Sequence, residues 1–314
     1  MIGSRFKKAL LDTVKPALST IRFFVIMMAP ISLGVMFLEE SGILFWLARF
    51  AAPFMGFLGL PGEAALVCLS SILVGIYSAV AVIETLDLSG RDVIILATFC
   101  LIAHNFFIEN TVLKKTGSSL LRVTFHRLLF AIVTAWFLNL ILPPAALTQT
   151  EIIPLPDIGL DVLALPSILL SWFISLSALL FRISLIVFAV IFLQKLMDEF
   201  GIIQYLGQIS SPFMRILGLS SNAGYVWIVA SVIGLIFGSA VLVEEARNGA
   251  LSRTEIDLFN SHVAISHSHI EDSALFIALG VPFLWAALPR FFMAIIAVWL
   301  ERGYRFFRAR ASIF

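Results

Sequence analysis

Three of the chain's five histidines fall in one stretch, SHVAISHSHIEDSALFIALG, running from Ser261 to Gly280 and holding Glu271 and Asp272 as well. Histidine changes charge near neutral pH and can carry a proton. Imidazole with carboxylate also suits zinc, iron or nickel. On a continuous helix Asn260, Ala264, His267 and Glu271 share one face, and His262, Ser266, His269 and Ser273 form the neighbouring stripe. A second stretch, LIAHNFFIENTVLKKTG from Leu101 to Gly117, carries His104, Asn105 and Glu109. His104 and Glu109 stand five apart, which stacks badly on a straight helix and points to a local break or a reentrant tip. The same residue types serve as ion pairs clamping two helices, or as a polar loop at a membrane surface. The duplication favours a transport site: His104, Asn105, Glu109, Asn260, His267, Ser268, His269, Glu271 and Asp272 are the candidate substrate- or ion-binding residues. Whether a metal is the ligand stays open.

The elements that must position these groups are apolar. Of 314 residues 60% are hydrophobic and 13% charged, about half the charge of an ordinary soluble domain. Long apolar runs recur along the whole length, which makes the chain a polytopic, all-α membrane protein. A net charge of +1 gives no bulk attraction to nucleic acid. Cys68 and Cys100 lie inside apolar runs, so no disulfide framework is expected. The basic segment 1–18 precedes about 20 apolar residues with no small-residue cleavage site after them, so the first helix is expected to be retained.

The chain contains one unit twice. EESGILFWLARFAAPFMGFLGLPG from Glu39 aligns with DEFGIIQYLGQISSPFMRILGLSS from Asp198. Gly75 falls on Gly234; after a short gap Ser89 falls on Ser252, His104 on His267, Arg127 on Arg290 and Trp136 on Trp299. Shared Pro, Gly, His, Arg and Trp in order do not come from hydrophobicity alone. Crossing runs are expected at 19–38, 63–83 and 119–142, then at 166–197, 223–243 and 281–300. Arg5, Lys7, Lys8 and Lys15 place the N-terminus in the cytoplasm, and Arg302, Arg305, Arg308 and Arg310 the C-terminus. Each half then crosses an odd number of times, giving two inverted-topology repeats of about three full spans plus partial or reentrant helices each. Arg247 and Arg253 fall on the external side in this scheme, against the rule. The organisation is a cytoplasmic amphipathic N-terminus (1–18), a first repeat (19–142), an external linker (143–162), a second repeat (163–301) and a basic cytoplasmic tail (302–314).

The GLP and PFM elements with the closing AHN/SHS-x-IE motif resemble the Gate domain, also called the nucleoside recognition domain. That family includes spore maturation proteins A and B and the membrane part of the ferrous iron transporter B family, with relatives among concentrative nucleoside transporters. The resemblance covers roughly 20–142 and 180–300. It implies a binding role for His104, Asn105 and Glu109, and for His267, Ser268, Glu271 and Asp272.

The function expected is that of an inner-membrane, multi-pass secondary transporter or permease. Its substrate would be a small polar solute or ion, a divalent metal cation or a nucleoside, held at a midplane site between the two polar helices. The alternative is a non-transporting scaffold or maturation partner whose His–Glu pairs are structural. No Walker A loop, GxSxG, HExxH or CxxC occurs, so neither an enzyme nor a cofactor is expected. The partners expected are the lipid bilayer and the small-molecule or ion substrate, with no nucleic acid; homo-oligomerisation is left open.

Overall fold

A computed structural model describes residues 2–143, 159, 163–235, 238–247, 249 and 251–311. Most of the expected linker 143–162 and the last three residues of the tail lie outside the described residues. The chain is an all-α polytopic membrane protein. Its helices, in order, are α1 (Ile2–Glu40), α2 (Ile43–Phe57), α3 (Ala64–Leu73), α4 (Ile76–Thr85), α5 (Gly90–Ile102), α6 (Phe106–Lys115) and α7 (Leu120–Ile141). After the linker come α8 (Leu165–Glu199), α9 (Ile202–Ile209), α10 (Ser211–Ile216), α11 (Gly224–Val232), α12 (Ser239–Arg247), α13 (Arg253–Ile265), α14 (Glu271–Ile277) and α15 (Phe283–Ala311).

Among the described residues five segments are long and apolar enough to cross a membrane: α1, α5 with α6, α7, α8 and α15. The window in α5–α6 is 72% buried, against 25–33% for the other four. The segment bearing the first polar cluster is therefore the inner one, and the long helices surround it. α1 and α8 pair antiparallel: Lys8 meets Glu199 at 2.6 Å and, far along both helices, Trp172 donates to Ser32 at 2.7 Å.

The runs 63–83 and 223–243, expected to cross, do not. Each is a helical hairpin that enters and returns. The first breaks after α3 at Gly75, whose φ of 143° and ψ of 178° lie where essentially only glycine is found. Gly59 before α3 and Arg91 after α4 are hydrogen-bonded at 2.9 Å, so both ends of the hairpin lie together. The second breaks at Gly234, with φ of 90°. Val226 on its entering arm and Leu242 on its returning arm line one recess. Arms of ten residues in the first hairpin and nine in the second reach about 15 Å, half of a hydrocarbon core of about 30 Å.

The polar segments are each built of two helices, and of these α5–α6 is long and apolar enough to cross. α5 and α13 both begin with a capping box, Ser89 with Asp92 and Ser252 with Glu255, which satisfies two first-turn N–H groups. α5 starts where Arg91 meets Asn139 at the end of α7. α13 starts where Asp257 meets Ser118, just before α7 begins. The two polar segments thus run in opposite senses beside α7.

The hairpins remove the charge anomaly. Because 223–243 returns, Arg253 sits on the same end as Arg122 and Arg305, which both pair with Asp257. The lysines and arginines at the start of α1, the end of α6, the start of α7 and the end of α15 share this basic end. The opposite end carries Glu39, Glu40 and Glu84, which line one recess.

Gly75→Ala is expected to cost about 1–3 kcal/mol through backbone strain, although the nearest atom to its added Cβ is 3.8 Å away. Gly34→Ala, inside α1 with nothing within 4 Å, is expected to be neutral or slightly stabilising. Thermal melts of both variants in detergent check this; equal melting temperatures would show that Gly75 is not strained.

Candidate functional site

The site is built where α5–α6 and α13–α14 are broken. Asn105 and Ser268, one in each break, both have φ of 49°, the left-handed conformation that non-glycine residues rarely adopt. A break at depth leaves helix-end carbonyls without partners, and no water replaces them in hydrocarbon. Buried arginines from the neighbouring long helices supply the donors. Arg127 donates to Ile102 O at 2.8 Å and His104 O at 2.7 Å. Arg290 donates to His267 O at 2.9 Å and to Ser273 Oγ at 2.7 Å. The hairpins complete each break: Asn105 N–H donates to Ser71 O, and Ser268 N–H to Ala230 O, both at 2.9 Å.

The geometry fixes the histidine tautomers. His104 Nδ1 lies 2.8 Å from Cys100 O, and His267 Nδ1 lies 2.7 Å from Val263 O. A carbonyl only accepts, so Nδ1 carries the hydrogen in both rings. Each Nε2 is turned inward, and the ring centroids are 5.2 Å apart. His104 Nε2 is 3.0 Å from Glu109 Oε1 and 3.6 Å from Asp272 Oδ2; His267 Nε2 is 3.4 Å from Glu109 Oε2. Glu109 also pairs with Arg127 at 2.7 Å. One ligand atom each from His104, Glu109 and His267 lie within 4.8 Å of one another. A neutral ring with hydrogen on Nδ1 offers only a lone pair at Nε2, and so does a carboxylate oxygen. Lone pairs facing each other at 3.0 Å need something positive between them, either a proton carried by the imidazole or the carboxyl group, or a bound cation.

Counted from its histidine, Asp272 stands five residues on, as Glu109 does. Asp272, not Glu271, is therefore the counterpart of Glu109. Glu271 matches Ile108 and has no equivalent acid in the first half. Its Oε1 accepts from Tyr77 OH at 3.3 Å. A cavity of about 380 Å³ is lined by these groups together with Asn105, Ser268, Phe23 and Tyr77.

Seven of the nine sequence-derived residues meet at this cavity: His104, Asn105, Glu109, His267, Ser268, Glu271 and Asp272. Two do not, because α13 ends at Ile265 and the expected continuous face is interrupted. Asn260 donates to Thr116 at 2.7 Å and Ser118 at 2.8 Å, tying α13 to the turn before α7. His269 turns to Ser266 Oγ at 2.8 Å, away from the cavity. Tyr77, Phe23 and the two hairpin tips were missed. Tyr77 matches Ile236 in the repeat, so the duplication gave it no signal. The Arg127–Arg290 equivalence was visible in the repeat and marks both breaks.

Residues 21–119 match the family model Gate, described as nucleoside recognition. The Gate resemblance is borne out over that stretch, which ends before α7. The chain is 29% identical over 267 residues to the uncharacterized membrane protein YvoD of Bacillus subtilis (strain 168), covering 82% of each. No solved structure matches the chain.

Arg127→Ala strands the Glu109 carboxylate and two buried carbonyls. It is expected to cost about 3–5 kcal/mol, as when one partner of a buried pair is removed. Adding Glu109→Gln should recover part of that loss. Thermal unfolding of the two single variants and the double in one detergent measures the coupling; strictly additive losses would show that the pair is not coupled.

Proposed function

We propose that this chain is a multi-pass membrane permease that moves a small cation, a divalent metal ion foremost, through the cavity between the two broken helices. The observation that carries this reading is the convergence of His104 Nε2, His267 Nε2 and Glu109 on one point. His267 Nε2 makes no hydrogen bond. Fixing Nδ1 on a backbone carbonyl is how proteins aim the other imidazole nitrogen at a metal. Glu109 would supply the charged oxygen and Asp272 a neighbouring one. Arg127 and Arg290 hold the breaks open and keep the cavity's net charge small, which favours release over tight retention.

The architecture supports passage. Two broken segments of opposite sense meet two hairpin tips at mid-depth, the arrangement in which secondary transporters place their substrate. Access from each end would alternate as one half moves against the other. The basic end would face the cytoplasm, putting both termini inside in a bacterial inner membrane. No enzymatic step is needed. The nucleoside reading keeps one observation in its favour: the rings of Phe23 and Tyr77 and the Asn105 side chain line the same cavity.

Uptake into proteoliposomes tests the proposal with manganese and zinc ions and with a nucleoside panel. We expect saturable metal uptake. Removing either His104 or His267 as alanine should weaken apparent affinity by at least about tenfold, since even outer-shell partners matter that much. Asn260→Ala, outside the cavity, should lower stability and leave apparent affinity unchanged. Nucleoside uptake lost in the histidine variants would replace the cation by a nucleoside. No uptake of any solute, with the variants merely less stable, would establish the scaffold reading.

A further inference from the structure

A second pocket lies behind the first. The breaks that line the central cavity with Ile233, Gly234, His267 and Ser268 present their other side to a flank pocket through Ser231, Val232, His269 and Ile270. The partition between the two is one hydrogen-bonded layer, in which His269 N–H donates to Ser231 O at 2.7 Å. The flank pocket has a volume of about 290 Å³. Its outer wall is Phe283 and Leu288, 46% and 43% exposed, on the apolar side of α15, so it opens sideways rather than toward either aqueous end.

His269 is paired with Ser266, but two side chains lining this pocket, Trp227 and Ser231, and one behind it, His262, carry polar atoms without partners. Ser231 is 5% exposed and its Oγ makes no hydrogen bond; Trp227 Nε1 is buried and makes none. His262 is 0% exposed with both ring nitrogens unpaired. It stands edge-on to Trp227 and to Phe291, each 6.2 Å away, and both of those rings line the pocket. An indole N–H can only donate, and a neutral imidazole has one N–H to give. The arrangement asks for an acceptor. The equivalent positions in the first half are Cys68, Ile72, Phe99 and Phe106, where the second half has Trp227, Ser231, His262 and His269. The polar set is thus particular to one half and is not demanded by the fold.

Among the described residues lining the pocket none is charged, so the acceptor it fits is uncharged. Aromatic walls favour a flat ring. The pocket lies at the level of the helix breaks, well below the interfacial region where glycerolipid ester groups sit. We propose that it binds a bilayer-soluble molecule carrying carbonyl groups on a flat ring, of the quinone headgroup class. Trp227 and Ser231 would donate to a carbonyl, and Phe291 would face the ring. This does not depend on what the central cavity carries.

The probe is decylubiquinone, added to the whole protein in nanodiscs of diether phosphatidylcholine, with decylbenzene as the probe lacking carbonyls. We expect a saturable rise in melting temperature with the quinone and none with decylbenzene. Ser231→Ala should raise the half-saturating concentration several-fold. Ser231→Ile with His269→Phe, which imports the first-half residues, should abolish the shift. The wild type alone decides if a variant fails to fold. Equal shifts from both probes, or no shift from the quinone, would overturn the proposal. So would an equal quinone shift in the folded double variant. A wild type that melts higher in diester than in diether lipid, and gains nothing from the quinone, would hold a lipid ester there and also overturn it.

Discussion

Every backbone polar group inside a bilayer must find a partner within the protein, and the rest of this structure follows from how the two broken helices meet that demand. Arg127 and Arg290 cap the carbonyls freed at the breaks. Both are fully buried, so each guanidinium needs partners of its own, although Arg290 Nε is left without one. Arg127 finds Glu109 and Asn110; Arg290 finds Ser273. Once Glu109 is drawn to Arg127, its second oxygen faces His104, and the polar cluster assembles around it. The hairpin tips supply the remaining acceptors, Ser71 O and Ala230 O, for the amides at the breaks. Remove the arginines and neither break nor cluster has a reason to stay where it is.

This also sets what the sequence could reveal. The order of Pro, Gly, His, Arg and Trp along both halves exposed the duplication and paired Arg127 with Arg290. The polar stretches announced a site because ionisable groups are costly at depth, and seven of nine candidate residues meet there. The hairpins were hidden. The run 63–83 has the length and hydropathy of a span, and only the backbone at Gly75 shows that it turns back. The one legible hint was Arg247 and Arg253, on the wrong side for a full crossing. The AHN/SHS-x-IE motif sets Glu271 beside Glu109, whereas the spacing from each histidine selects Asp272. Asn260 and His269 were misplaced because a continuous helical face was assumed across a break at Ser268.

The two halves share a frame and differ in chemistry. Glu109 is tied to an arginine, while Asp272 stands across from His104 at 3.6 Å, and Glu271 is an additional acid held by Tyr77. The residues around the flank pocket follow the same division, with apolar side chains or cysteine at the equivalent positions of the first half. Duplication explains the fold, and divergence of single side chains explains the site.

The hairpins have an electrical consequence. The hairpin tips meet both broken helices at one level, and the buried ionisable groups Glu109, Glu271, Asp272, Arg127 and Arg290 are gathered there. In the proposed permease a unit charge held beside His104 would stand about halfway down the transmembrane voltage. Leaving for either face exchanges about half of the full 2.3 kcal/mol per 100 mV, or roughly 1.2 kcal/mol. The membrane potential would then act on departure toward each side with equal size and opposite sign, and so set a direction that the twofold arrangement of the fold does not.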